Sequence, residues 1–145
     1  MSDRTDPLLP SLSIHNSTLP TDRQQCRMTR SIEGSRAKNA KRPPTAPNCE
    51  CVEETAIERA KRQCHQWTAT PSEVQYLGQL RLIFGQYSCK TFQWMLENDV
   101  GYVKYLVDKH LKEKAGGMKI RDEWLKDYLV MYHHVCVIFP SIKSS

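Results

Sequence analysis

Between Leu80 and Gly101 the chain reads LRLIFGQYSCKTFQWMLENDVG, and this stretch constrains the fold more than any other. Leu80, Leu82 and Phe84 alternate with Arg81 and Ile83, the period-two pattern of a half-buried strand. Gly85 ends the run by offering a positive φ or a bulge. Ser88 and Cys89 then fall in the middle of a two-residue turn between Tyr87 and Lys90. A cysteine in left-handed geometry is strained through its Cβ, so that turn is poorly specified. Thr91 is placed to cap the helix that follows, in which Phe92, Trp94, Met95 and Leu96 supply the apolar surface up to Asn98.

Asp99 is placed to cap a second helix running to about Lys114. Val100, Val103, Leu106, Val107 and Leu111 recur at helical spacing along one face of it, with Lys104, Asp108 and Lys112 outside. Gly116 and Gly117 stop this helix. A third, from about Asp122 to Val135, buries Trp124, Leu125, Tyr128, Leu129 and Tyr132 on the same logic. Upstream, Val52, Ala56, Ala60 and Cys64 lie four apart, with Ile57 and Trp67 widening the stripe into an amphipathic helix, and Thr70, Pro71 and Ser72 break it.

The run LIFGQYSCKTFQWMLENDVGYVKYLV resembles the FGKY-x-G-K hairpin-helix signature of a small domain found in bacterial proteins of unknown function and at the C-terminus of exodeoxyribonuclease X-like proteins. Its TFxWLLENDVGY-like part is similar to uncharacterised proteins of fish genomes. The resemblance covers about 35 of the 145 residues and implies a hairpin packed on a helix. Gln86 stands where the signature has lysine and Cys89 where it has the turn glycine. No exonuclease domain accompanies the motif here. The company it keeps elsewhere implies an alternative function, a nuclease accessory domain or degenerate enzyme fragment.

These patterns together predict a small α+β domain, a β-hairpin element packed by two or three helices. It spans residues 72–140, with an amphipathic helix and linker over 49–70 and a tail over 141–145. Residues 1–48, rich in Ser, Thr, Pro, Arg and Asp and without apolar periodicity, are expected to be a disordered arm dispensable for folding. Its segment from Arg27 to Arg42 sets six cations against the single acid Glu33. A solvated tail and a nuclear-import or nucleic-acid-contacting segment are the two readings of that charge.

No apolar run reaches the length of about 18 residues that spans a bilayer, and the N-terminus has neither the basic nor the apolar part of a secretion signal. No membrane association is therefore expected, and the protein is placed in the nucleus or cytoplasm. Six cysteines in that setting read as reduced thiols. Cys49-x-Cys51 with Cys64 and His65 is the set nearest to a metal site, with His110, His133, His134 and Cys136 as distant candidates. Zinc knuckles want C-x-x-C spacing, and adjacent Cys64 and His65 point to different helix faces, so no metal and no cofactor is assigned. Cys64 is accounted for as an apolar member of its helix stripe.

Walker, dinucleotide, G-x-S-x-G and H-E-x-x-H motifs are all missing, and helix capping accounts for the paired acids Glu97/Asp99 and Asp122/Glu123. The expected function is a non-enzymatic interaction module, with a protein partner or a second copy of the chain, contacting nucleic acid through a basic surface. The net charge of +5 and the cations Lys90, Lys104, Lys109, Lys112, Lys114, Lys119 and Arg121 supply that surface, against the plainer reading of a solvated face. Tyr87, Lys90, Lys104, Lys112 and Lys119 are the candidate nucleic-acid-binding residues, Tyr87 by stacking on bases.

Overall fold

A computed structural model describes residues 6–12, 14–15, 25–26, 30–39 and 51–138. Its core is built from α-helices: α1 (Ile32–Lys38), α2 (Glu53–Cys64), α3 (Glu73–Leu77), α4 (Phe92–Asn98), α5 (Val100–Ala115) and α6 (Glu123–His133). Residues His134–Ile138 prolong α6 as a π-helical turn.

The expected α+β class is overturned. Strand pairing among the described residues is limited to a two-residue antiparallel pair, Ile14–His15 with Gln25–Cys26, and one isolated bridge between Arg81 and Thr91. No β-hairpin forms over residues 80–91, and the reason is local. Leu82 donates its N–H to the Lys90 carbonyl (2.9 Å), while its own carbonyl accepts from the Cys89 N–H (2.7 Å). Two residues thus oppose one, as in a β-bulge, and Cys89 occupies the left-handed bulge position with φ +73°. The turn beneath it closes through Lys90 N–H to Tyr87 C=O at 3.0 Å. Cys89, but not Ser88, has a positive φ, unlike the type I′ turn that a regular two-residue hairpin favours. The segment is therefore a bridged loop. Its alternating leucines report burial on one side, Leu80 and Leu82 being fully enclosed, and not membership of a sheet.

Helices α3, α4 and α5 start at side-chain caps, whereas α2 and α6 have none. Thr91 Oγ1 accepts from the Trp94 N–H to cap α4, and Asp99 Oδ1 accepts from the Tyr102 N–H to cap α5. Ser72 and Gln75 form a reciprocal capping box at α3, a short helix that sequence periodicity did not indicate. Ala56, Ala60 and Cys64 turn α2 inward, whereas Val52 and Trp67, expected on the same stripe, lie beyond its ends and are exposed. Helix α5 packs against α4 and α6, and α3 against α2 and α6. Phe92, Met95, Leu96, Val103, Leu125, Leu129 and Tyr132 fill the space between them. At the end of α3, Gly78 lies so close to Tyr132 that a Cβ would stand 2.7 Å from the hydroxyl and would have to displace that buried ring.

The N-terminal part departs most from expectation. Residues 6–12 pack on the domain: Leu8 is fully buried, Gln93 donates to the carbonyls of Pro7 and Leu9, and the Ser11 N–H reaches Glu97. Helix α1 docks on α4, where the Ser31 hydroxyl donates to Asn98 Oδ1 and Arg30 pairs with Asp99 at 2.7 Å. The expected disordered arm is thus replaced, over residues 6–12 and 30–39, by two segments with specific partners in the core. The rest of the stretch 1–48 and the end of the chain from 139 lie outside the described residues.

Candidate anion-binding groove

The C-terminal half of α5 projects Lys109, His110 and Glu113 toward the connection that leads into α6. Gly117 (φ +71°) and Asp122 (φ +55°) take left-handed conformations, and the chain between them brings Lys119, Ile120 and Arg121 back beside α5. Lys126 closes the far side, its ammonium 5.2 Å from the centroid of the Phe84 ring. The resulting groove has a volume of about 300 Å³. Phe84, Leu106, Met118 and Ile120 give it an apolar wall, and Lys109, Lys119, Arg121 and Lys126 stand against a single acid, Glu113.

His110 lines the groove with only 2% of its surface exposed. Its Nε2 lies 2.8 Å from Asp127 Oδ1, an oxygen that Lys114 Nζ also reaches at 2.8 Å. Lys114 further approaches Glu123 at 3.5 Å. Burial of Asp127 opposes its ionisation, but hydrogen bonds from His110 and Lys114 outweigh it and hold the carboxyl below its usual value. Asp127 chiefly, with Glu123, raises the pKa of Lys114 in turn. A carboxylate can only accept, so His110 carries a hydrogen on Nε2, and its other ring nitrogen is Nδ1. That atom is buried without a hydrogen-bond partner.

The structure disperses the residues chosen from sequence. Tyr87 lies in the core, its ring edge-on to Trp94 and Tyr102 at 5.3 and 5.0 Å, and offers no face to a base. Lys90 rests over Trp94, 4.8 Å from a ring centroid, and Lys104 is paired with Asp108 at 2.6 Å. Lys112 is exposed on α5 but is not among the groove's lining residues. Of the five, Lys119 alone lines the groove, joined by Lys109 and Arg121 from the wider basic set. Lys126 and the wall residue Phe84 were not chosen, and no spacing along the chain could pair them with α5. The sequence offers His110 only as a distant metal-ligand candidate.

Cys49 lies outside the described residues, and among those described no group of three or more His, Cys, Asp or Glu could hold a metal ion. Cys64 is fully buried and burial raises its thiol pKa, away from the thiolate that metals and electrophiles require. Nor is any helix among the described residues long and apolar enough to cross a membrane. The chain matches no protein-family model, no curated protein and no solved structure, so the site is read from its own geometry.

Proposed function

We propose that this protein is a helical interaction module of the nucleus or cytoplasm that acts by binding and contacts nucleic acid through the phosphate backbone. One observation carries the reading: Lys109, Lys119, Arg121 and Lys126 converge on one groove whose lining includes a single carboxylate, Glu113. Convergent cations in a concave site focus potential on an incoming phosphate more effectively than cations scattered over a convex face.

The test is the salt dependence of association with single- and double-stranded DNA and RNA. Each phosphate contact contributes about −0.7 to −0.9 to the log-log slope, so removing Lys119 and Arg121 together should flatten it by up to about two units. Lys104, already held by Asp108, should leave the slope unchanged when replaced by alanine. Absence of salt-sensitive association at low ionic strength refutes the reading. In that event a protein partner or a second copy of the chain is the reading favoured by Tyr105, Leu111 and Met118, large apolar side chains left in water. Sedimentation over a concentration series reads the self-associating case.

A further inference from the structure

The groove has features that a phosphate backbone alone does not use. Internal phosphodiesters need only exposed cations, yet half of this site is apolar surface from Phe84, Leu106, Met118 and Ile120. Its volume of about 300 Å³ lies at the lower end of small-ligand sites, the size class of a mononucleotide and too small for a dinucleotide cofactor. Excess positive charge in the lining disfavours a metal ion and favours an anion, and the planar fork of Arg121 suits phosphate oxygens in particular.

We infer that the groove is a mononucleotide site, with the phosphate held by Lys119, Arg121 and Lys126 and the ring system laid against the apolar wall of Phe84 and Ile120. The site rests on the reading of this face as phosphate-binding and specifies which part of a nucleic acid, or which free molecule, it takes. A free nucleotide and the phosphorylated terminal nucleotide of a strand present the same chemistry.

Calorimetric titration of the full chain at low ionic strength with adenosine 5′-monophosphate, adenosine and inorganic phosphate tests the inference. The nucleotide should saturate one site and bind roughly tenfold or more tightly than either of its halves. Lys119→Ala with Arg121→Ala, both exposed positions, should weaken it by about tenfold or more while the circular dichroism spectrum is retained. Nucleotide binding no tighter than phosphate, or insensitive to that double substitution, overturns the site. A 5′-phosphorylated single strand of four nucleotides compared with its unphosphorylated form separates the sources: a preference for the phosphorylated end assigns the strand terminus, and equal binding of the two assigns the free nucleotide. Salt-sensitive association of the unphosphorylated strand without nucleotide binding removes the site and leaves the broader reading intact. Nucleotide saturation with no strand association does the reverse.

Discussion

The Tyr87 hydroxyl donates to Asp99 Oδ2 at 2.6 Å, and the same oxygen accepts from Arg30 Nε at 2.7 Å, so one carboxylate joins the bridged loop, the start of α5 and the N-terminal segment. The other oxygen, Oδ1, caps α5 through the Tyr102 N–H. Tyr87 is entirely enclosed, and burial first, then Asp99, pushes its phenol up to about 12, with Arg30 acting in the opposite direction. What sequence inspection took for an exposed stacking ring is a buried tie.

Tyr87→Phe keeps the ring and removes the tie. Hydrogen bonds to charged groups are worth about 1.5–3 kcal/mol, and chemical denaturation should show a loss in that range. The phenol's raised pKa also sets an alkaline signature: stability is complete below the ordinary tyrosine value of 10.0 and is lost as pH rises toward about 12. The variant should lack this component, and an unchanged alkaline profile would contradict the assignment.

Cys89→Gly is expected to stabilise the protein. A left-handed φ costs an L-residue about 1–2 kcal/mol, and glycine's greater freedom in the unfolded chain returns about 0.5–1 of it, leaving a net gain of up to about 1.5 kcal/mol. The observed φ of +73° meets the condition on which the sign depends. A lower denaturation midpoint for the glycine variant would show that the thiol makes contacts worth more than the strain.

Leu8→Ala should lower stability by about 2–5 kcal/mol, the range for emptying a buried leucine site. Gly34→Ala tests the docking of α1 separately, because its Cβ would fall 2.7 Å from the Asn98 carbonyl oxygen. A reduced melting temperature for both variants, and for deletion of residues 1–39, is the expected outcome. Unchanged melting on deletion would restore the dispensable arm.

Acid should weaken the fold through His133. Burial lowers its pKa from the ordinary 6.5; Lys104 and His134 act in the same direction, and Asp108 opposes them. With a depressed folded-state pKa, the unfolded chain takes up the proton first, so stability is full above about pH 6.5 and falls as pH drops through the folded value. His133→Phe should flatten that decline in a series of denaturation midpoints, and an equally steep decline in the variant would place the acid sensitivity elsewhere.

Helical periodicity makes α4, α5 and α6 legible to within one or two residues, whereas α2 stops at Cys64, short of the Trp67 that its stripe included; the caps Thr91 and Asp99 are legible because capping is a local interaction. The alternation holds as a burial pattern for Leu80 and Leu82 but not for Phe84, which is half-buried in the groove wall; a strand also needs a partner in register, and the bulge at Cys89 leaves one bridge. Helix α1 docks through contacts distant in the chain, and α3, at five residues, is too short to show a period, its start being marked only by the Ser72–Gln75 capping box. The groove was half visible. Lys109, Lys119 and Arg121 could be chosen as cations, whereas the apposition of Lys126 and Phe84 arises from long-range packing.

Because residues 6–12 and 30–39 reach the domain through side chains and carbonyls without sharing a helix with it, the N-terminal part behaves as a tethered peptide occupying its own receptor. Membership of one chain raises the effective concentration of these segments at the core, so contacts too weak to persist between separate molecules suffice within it. A synthetic peptide covering residues 1–39 should therefore associate only weakly with a core lacking them, and a cut between the two parts would turn a stable intramolecular arrangement into a complex that dissolves on dilution.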